Sequence, residues 1–258
     1  PHIEQMRGSM ILKIVQQVRA LRAKGKEIIN LTIGDFDPNY FPIHEGFAEQ
    51  VASAYRKGKT NYPPSAGVLE LRQSIARLYC EQLGLEVDAN SVCIASGARP
   101  PLYAAWKMFA GPGEKSVSFL PAWNVGYYAH LSQTQHHFVS TTAETNFHPT
   151  AEQVERVVQN TNLIILNTPL NPTGTMISKD ELQDIAQVIV DENKKRSGRP
   201  VILLYDQVYW MLQHDTIKHY SPVSLVPEIA PYVIHVDAMS KNFASTGLRV
   251  GWAVLPSF

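Results

Sequence analysis

The chain has 258 residues, of which 45% are apolar, and its 23 basic and 23 acidic side chains give no net charge. That balance argues against a basic surface for nucleic acid, and no apolar run approaches the roughly 20 residues of a membrane span. The length suits one large α/β domain with at most a small attachment. Cys80 lies in a helical pattern and Cys93 in a strand pattern, which predicts two buried, reduced thiols and a cytoplasmic protein rather than a disulfide.

The first third of the chain is mainly helical in pattern, and a turn-rich crossing, 34–38, interrupts it. Apolar residues at helical spacing predict helices at 9–24, 45–57 and 67–83. Gly25 is the expected end of the first helix, and the apolar residues at 28–31 predict a short strand after it. The extended loop 60–67 is stiffened by its two prolines.

From residue 91 onward, apolar runs alternate with helical patterns. Strands are predicted at 92–95, 116–120, 137–141, 163–166, 201–205, 232–236 and 250–255. Helices are predicted at 100–109, 123–132, 150–158, 178–196 and 222–230. This alternation indicates an α/β fold with a mainly parallel, doubly wound sheet of seven strands. Ligands bind such sheets beyond the carboxyl ends of the strands.

The segment 240–252 places Lys241 after an apolar strand and Arg249 eight residues later. A lysine at the mouth of a buried sheet should have a lowered pKa, and its neutral amine can form a Schiff base with a carbonyl. An arginine at this distance can hold a phosphate through forked hydrogen bonds. Pyridoxal 5′-phosphate (PLP) needs both groups. A surface loop with two ordinary cations is the alternative from this segment alone.

Four other motifs follow predicted strands. Ser96–Pro101 joins a strand to a helix whose free N–H groups suit an anion, and Trp123 offers a flat stacking face. Asn171 stands between prolines and can donate to a phenolate oxygen. Asp206 can pair with a protonated pyridine nitrogen, and Tyr209 can reach a ring hydroxyl. Taken singly, each has an ordinary structural alternative: a βα turn, a core tryptophan, a capped loop and a helix N-cap.

The spacing of three of these groups supports a common site. Asn171, Asp206 and Lys241 follow one another at intervals of 35 residues, each about one βαβ unit. They can therefore lie on neighbouring strand ends and converge on one ligand.

The motifs together resemble the class I/II aminotransferases, the PLP-dependent family of the aspartate aminotransferase fold. The resemblance covers about 29–252 and depends on the ordered series IGDFDP, YPPSAG, SGAR, PAW, NPTG, YDQVY and SKNF…GLRVGW. Such an ordered series is far more specific than any single motif. It implies an enzyme of amino-acid metabolism that transfers an amino group between an amino acid and a 2-oxo acid.

The resemblance also implies roles for individual residues. Lys241 would hold PLP as a Schiff base and later move the proton from the substrate Cα. Asp206 would keep the pyridine nitrogen protonated. Asn171 and Tyr209 would bond the ring 3′-oxygen, and Trp123 would stack on the ring.

The remaining implied contacts concern the phosphate, the substrate and a second subunit. The phosphate would lie in a cup formed by Gly97, Ala98 and Arg99, with Arg249 as its cation. Gly34 would contact the substrate through its backbone. Tyr62 would reach the phosphate of the neighbouring subunit, which implies a homodimer with shared sites. No metal, membrane or nucleic acid is expected.

Several positions depart from the family's pattern. Ala238 stands where the family usually has Ser or Gly, so one phosphate hydroxyl is expected to be absent. Gln207 stands where glutamate is common, and Ser245, Pro100 and Pro101 are also unusual. These departures suggest an outlying subgroup.

The ends and domains can also be predicted. The chain begins with Pro1 and stops at Phe258, directly after a strand pattern, so we expect a piece of a longer protein. Residues 1–33 would belong to a small domain and 34–258 to the PLP-binding large domain. The family's arginine for the substrate α-carboxylate would then lie in a C-terminal part that is absent here.

Two alternatives to the aminotransferase remain open at this point. A PLP-dependent carbon–sulfur β-lyase on the same fold would use every residue named above. The second alternative is not an enzyme but an aminotransferase-like sensor domain of a transcription regulator. A helix-turn-helix before Pro1 would favour it. The residues do not identify the amino-acid substrate.

Overall fold

The computed structural model describes residues 10–214 and 217–256. Residues 1–9 of the predicted N-terminal domain therefore lie outside the described part, and the last of them is the first residue of the predicted helix 9–24. The α-helices are α1 Met10–Ala23, α2 Glu45–Arg56, α3 Leu69–Leu83, α4 Arg99–Phe109, α5 Val125–Ser132, α6 Ala151–Val158, α7 Lys179–Lys195, α8 Pro222–Leu225 and α9 Met239–Asn242. Short 3-10 helices cover Ala89–Ser91, Ala143–Thr145 and Pro227–Tyr232.

The strands form one seven-stranded sheet in the order β1-β7-β6-β5-β4-β2-β3. Their bounds are β1 Val92–Ala95, β2 Lys115–Leu120, β3 Gln135–Ser140, β4 Leu163–Asn167, β5 Ile202–Asp206, β6 Val233–Ala238 and β7 Gly251–Val254. Only β7 runs against its neighbours, β1 and β6. The predicted α/β class with a mainly parallel seven-stranded sheet is confirmed.

The central strands are buried on both faces, which explains their unbroken apolar sequences. On β4 and β5, Ile164 and Leu203 face the core that includes α6 and α7, whereas Ile165 and Leu204 face the core that includes α4. This alternation follows from the two-residue period of a strand. A third core packs α3 against β1 and β7. With helices on both faces, the carboxyl ends of β4, β5 and β6 are left free to form a site.

Three expectations from the sequence need correction. The predicted strand at 28–31 is coil, and its Ile29 and Leu31 are 88% and 90% exposed. Its apolar residues have no neighbouring strand in the described structure, so their pattern alone could not form a ladder. Both thiols are free as predicted, but Cys80 is exposed and Cys93 only half-buried. The helix predicted at 222–230 is α8 followed by a 3-10 helix that begins at Pro227, and Val226 separates the two.

Within residues 10–214 and 217–256, no helix is long and apolar enough to cross a membrane.

Candidate active site at the carboxyl ends of the strands

A cavity of about 990 Å³ opens at the carboxyl ends of the parallel strands. Parallel strands place these ends on one edge of the sheet, where loops and helix N-termini surround a ligand. Most of the residues predicted for the site line this cavity, namely Gly34, Ala98, Arg99, Trp123, Asn171, Asp206, Tyr209, Lys241 and Arg249. The cavity therefore brings together groups that are up to 215 residues apart in the sequence.

The ends of β4 and β5 fix one wall of the cavity. Asn167 and Asp206 are paired in the sheet register, and the Asn167 amide donates to the Asp206 carbonyl at 3.0 Å. The Asn167 side-chain oxygen also accepts from the backbone N–H of Asn171 at 2.9 Å. Asn171 in turn donates from Nδ2 to the Tyr209 hydroxyl at 3.1 Å. One chain of hydrogen bonds thus fixes the backbones at Asp206 and Asn171 and the Tyr209 side chain.

Asn167 was not singled out from the sequence, although it lies in the same strand-end motif as Asn171. Its position at the last residue of β4 was the available signal, because side chains at strand ends face the ligand edge. Asn167 lines the cavity, and its two hydrogen bonds also hold the backbones of the wall.

Asp206 is a carboxylate without a cationic partner. Its Oδ1 accepts from the Val208 N–H at 3.2 Å. None of the four ion pairs within the described ranges includes it. Loss of solvent raises the pKa of Asp206 to about 7, and the Val208 hydrogen bond opposes that rise. A cation brought into the cavity at this position would stabilise the ionised form.

Lys241 reaches the cavity from α9, the single helical turn that follows β6. Its ammonium donates a hydrogen bond to the Gly34 carbonyl and lies 5.9 Å from the centre of the Tyr209 ring. Desolvation lowers the pKa of Lys241, Asp35 raises it and Arg249 lowers it. The lowered pKa increases the fraction of neutral, nucleophilic amine, as the sequence predicted.

Arg249 closes the turn between β1 and α4. Gly97 has a φ of +91°, and a Cβ there would overlap the Arg249 guanidinium. The guanidinium donates to the Thr246 carbonyl at 2.8 Å and to the Ser240 hydroxyl at 3.3 Å. A longer contact of 3.4 Å reaches the Ser96 carbonyl. The guanidinium therefore packs on the glycine turn that precedes the N-terminus of α4, where unpaired N–H groups suit an anion.

Arg99 and Trp123 lie on the side of the cavity next to α4 and α5. In the amide orientation that satisfies both donors, the Asn124 oxygen accepts from Arg99 at 2.9 Å and from the Trp123 indole at 3.2 Å. Trp123 remains 39% exposed, so part of its ring faces the cavity. The arrangement leaves a flat aromatic face beside a fixed guanidinium.

Two predicted site residues, Tyr62 and Gly97, do not line the cavity of this chain, and Gly97 instead packs against Arg249. Tyr62 lies in the loop before α3 and is fully exposed. Its predicted contact with a neighbouring subunit stays a prediction.

Two further groups near Lys241, the Asp35 carboxylate and the Thr246 hydroxyl, were not predicted. Asp35 follows Gly34 in the crossing from α1 to α2, and its carboxylate accepts a hydrogen bond from the Thr246 hydroxyl. That hydrogen bond is the main reason for the lowered pKa of Asp35. Asp35 was part of the quoted IGDFDP motif, but nothing local in the sequence indicated a partner 211 residues away.

Comparison with known proteins identifies relatives of this arrangement. Residues 26–257 match the family model described as aminotransferase class I and II. The chain is 26% identical over 254 residues to an aspartate aminotransferase of a Bacillus species, covering 97% of this chain and 62% of the relative. It is 29% identical to a probable aspartate/prephenate aminotransferase of Rhizobium leguminosarum, again covering 62% of that protein.

Solved structures show the same likeness. An aspartate aminotransferase from Thermus thermophilus with maleate superposes with a TM-score of 0.89 at 27% identity, and the match covers 99% of this chain and 64% of that one. An aromatic aminotransferase from Pyrococcus horikoshii gives 0.79 at 31% identity over 92% of this chain and 62% of that one. The chain thus spans about 62–64% of the length of these relatives. Their names favour an aminotransferase over the lyase and the regulator domain.

Proposed function

Because the chain belongs to the class I and II aminotransferase family, we propose that the protein is a PLP-dependent aminotransferase acting on an amino acid and a 2-oxo acid. The observation that carries the proposal is the pairing, in one cavity, of an uncompensated carboxylate, Asp206, with a lysine of lowered pKa, Lys241. The aspartate and aspartate/prephenate aminotransferases among its relatives support dicarboxylic amino acids as the first substrates to test.

The donor set of the cavity fits PLP at three points. The Asp206 carboxylate needs a cation, which a protonated pyridine nitrogen supplies. The Gly97 turn, the N-terminus of α4 and Arg249 supply donors for a phosphate. Asn171 and Tyr209 form a hydrogen-bonded pair that suits a phenolic oxygen. When bound, the cofactor supplies an electron sink for the charge that develops at the substrate Cα.

Each of these residues has a definite task in the proposal. Lys241 provides the amine for attachment, and later its Nζ accepts and returns the proton at the substrate Cα. Asp206 keeps the ring nitrogen protonated. Tyr209 and Asn171 would hold the ring oxygen, and Trp123 would stack on the ring. The phosphate contacts of Arg249 and Ala98 anchor the opposite end.

Ala238 carries no hydroxyl that could donate a hydrogen bond to a phosphate. Ser240 supplies a hydroxyl two residues later, and Arg249 donates to it at 3.3 Å. Ser240 also lines the cavity. We therefore infer that Ser240 offers the phosphate a hydroxyl in place of the one that the resemblance to the family led us to expect at Ala238.

We also propose the domain boundary between residues 33 and 34, a cytoplasmic location and a homodimer. In that dimer Tyr62 reaches the phosphate bound to the partner subunit. The exposure of Tyr62 supports the last of these.

Borohydride reduction of the PLP-treated chain, followed by peptide mapping, tests the proposal. The pyridoxyl label should appear on Lys241, and labelling of Lys107 or Lys115 instead would contradict it. Transamination by the full-length protein, with aspartate or glutamate and 2-oxoglutarate or oxaloacetate, tests the reaction. Release of ammonia and pyruvate from a cysteine conjugate without amino-group transfer would identify a β-lyase.

A further inference from the structure

The turn that carries Lys241 is too short to hold itself in place. α9 has four residues, so it contains a single turn with little internal hydrogen bonding. Asp237, two residues before α9, contacts both of its ends. Its Oδ1 accepts from the Ala238 N–H at 2.7 Å and from the Asn242 amide at 3.2 Å. The Oδ1 atom of Asn242 is buried without a partner in the part of the chain described, so the side chain of Asn242 is held by Asp237.

The other oxygen of the same carboxylate contacts the turn after β5. Asp237 Oδ2 accepts from the Trp210 indole N–H at 2.7 Å. Trp210 is 4% exposed and directly follows Tyr209, whose ring faces the Lys241 ammonium. One carboxylate therefore connects the segment that bears Lys241 with the segment that bears Asp206 and Tyr209.

Asp237 is not placed to act on a ligand itself. Ala238, Ser240 and Lys241 line the cavity, whereas Asp237 lies behind them in the sheet and is fully buried. Burial raises the pKa of Asp237 to about 8, and the Ala238 and Trp210 hydrogen bonds oppose that rise. A buried carboxylate is a costly way to stabilise a fold. Its geometry, with three donors from the two ends of one turn and from a neighbouring turn, is that of a positioning group.

The side chain next to the buried Asp237 carboxylate is a neutral one, that of Gln207. Gln207 is fully buried, and its amide lies close enough to lower the pKa of Asp237, although Nε2 completes no hydrogen bond within 10–214 and 217–256. A second carboxylate at this position would repel Asp237 in a desolvated site.

We propose that Asp237 is the positioning residue for Lys241, joining α9 to the Tyr209–Trp210 turn, and that Gln207 is the neutral residue that permits a carboxylate there. The inference depends on the proposed function only in taking Lys241 as the reactive amine. Nothing in the family match or in the names of the relatives assigns a role to either residue.

The test compares Asp237→Ala with Asn193→Ala. Asn193 is a buried amide that joins the end of α7 to Val201 by two hydrogen bonds of 3.0 and 2.7 Å, at the amino end of β5, whereas Lys241 follows the carboxyl end of β6. Both variants remove buried hydrogen bonds, so both should lower the melting temperature. Trp210→Phe removes a single bond to Asp237 and serves as the milder variant should Asp237→Ala fail to fold.

Two readouts report on Lys241 rather than on stability. The first is acetic anhydride labelling of Lys241 against pH, with the exposed Lys107 as internal reference and Asp35 and Arg249 as the charged groups that face the amine. The midpoint should rise toward that of an ordinary lysine in Asp237→Ala and, by less, in Trp210→Phe. The second is the rate at which bound PLP is released, which should increase about 10-fold or more, because a displaced Lys241 amine would hold the cofactor less well.

Asn193→Ala should leave both readouts at the wild-type values. If Asp237→Ala and Trp210→Phe match it, Asp237 is only a structural residue and the inference is wrong. If wild-type PLP does not attach to Lys241, the proposed function fails, and the labelling midpoint still decides the role of Asp237.

The charge arrangement has its own test. Gln207→Glu should lower the melting temperature and speed PLP release, because a second buried carboxylate would face Asp237, whereas Gln207→Met adds no charge and should change PLP release less. Equal release rates in Gln207→Glu and Gln207→Met would contradict the charge argument.

Discussion

Two walls of the same cavity are built in different ways. The wall at β4 and β5 is part of the sheet: Asn167 and Asp206 are in register, and backbone and amide hydrogen bonds hold Asn171. The wall at Gly34 and Asp35 belongs to a coil crossing. The crossing meets the Lys241 segment through two side-chain contacts, the Lys241 ammonium on the Gly34 carbonyl and the Thr246 hydroxyl on Asp35.

The difference indicates how the work of the site is divided. Groups that must meet one rigid cofactor are fixed by the register of a buried sheet, where displacement would break many backbone hydrogen bonds. Groups on the crossing can separate from Lys241 by breaking two exposed contacts. We expect substitutions in the sheet wall to affect cofactor binding strongly, and substitutions in the crossing to affect it weakly.

Lys241→Ala should have the largest effect. Loss of the attachment amine and of the proton carrier should reduce transamination by about 10⁴-fold or more, since acid–base catalysis alone contributes up to about 10⁴-fold. Gly34→Ala is the matched change in the crossing: a Cβ there lies 3.5 Å from the Lys241 Nζ, an ordinary contact. Steady-state rates of the two variants measure the contrast, and a loss for Gly34→Ala equal to that for Lys241→Ala would contradict it.

Asp206→Asn should reduce the half-reaction with aspartate by about 100- to 1,000-fold, because the lost charge matters most in the transition state. Stopped-flow absorbance of the bound cofactor measures this rate. Retention of the wild-type rate would refute the role of Asp206.

The same variant should stabilise the chain without cofactor at neutral pH. Asp206 has a folded-state pKa of about 7 against an ordinary value of 3.8. Between about pH 4 and 7 the unfolded chain loses a proton that the folded chain retains, so this group makes the fold less stable as pH rises. Asn has no such proton. The gain in melting temperature of Asp206→Asn should therefore be largest above pH 7 and shrink toward pH 4, and a gain that grows toward pH 4 would show that the Asp206 carboxyl is not desolvated.

Gly251→Ala should damage the glycine turn before α4, where β7 packs on Gly97 and Ala98. A Cβ at Gly251 would lie 2.7 Å from the Ala98 nitrogen and overlap the backbone of Gly97, and backbone atoms cannot move aside as a side chain can. We expect a loss of about 3 kcal/mol in the free energy of unfolding, the upper end for overpacking. Gly247→Ala in the loop before β7 is the control, since a Cβ there meets nothing within 4 Å. Urea unfolding that ranks the two equally would mean that the Gly97 turn can shift.

The sequence predicted the sheet wall well, because that wall depends on local patterns. Apolar runs located all seven strands of the sheet, and spacing of one βαβ unit placed Asn171, Asp206 and Lys241 on one edge. The strand predicted at 28–31, before the crossing, was wrong because Ile29 and Leu31 have the apolar character of a strand, and a sequence does not show whether a partner strand is available. Asp237 was missed for a related reason: it lies within an apolar run, and its partner Trp210 is 27 residues away.

The smallest effect is expected at Asp35, on the crossing. Its carboxylate raises the pKa of Lys241, so Asp35→Asn should lower that pKa and move the acidic limb of the pH–rate profile to lower pH. An exposed charge contributes at most about 1 kcal/mol, so the rate at neutral pH should change by less than about fivefold.

Asp37→Asn is the matched control for this last change. Asp37 is an exposed aspartate two residues along the same crossing, and its carboxylate accepts from the Asn39 N–H at 2.9 Å within its own turn. No shift in the pKa of Lys241 is expected from it. Suppose that Asp35→Asn and Asp37→Asn both give the pH–rate profile of the wild type. Asp35 then has no effect on Lys241 in solution, and the crossing does not lie as close to Lys241 as the hydrogen bond between Lys241 and the Gly34 carbonyl requires. If Asp35→Asn instead releases PLP as readily as Asp237→Ala, the crossing is as rigid a part of the cofactor site as the sheet wall.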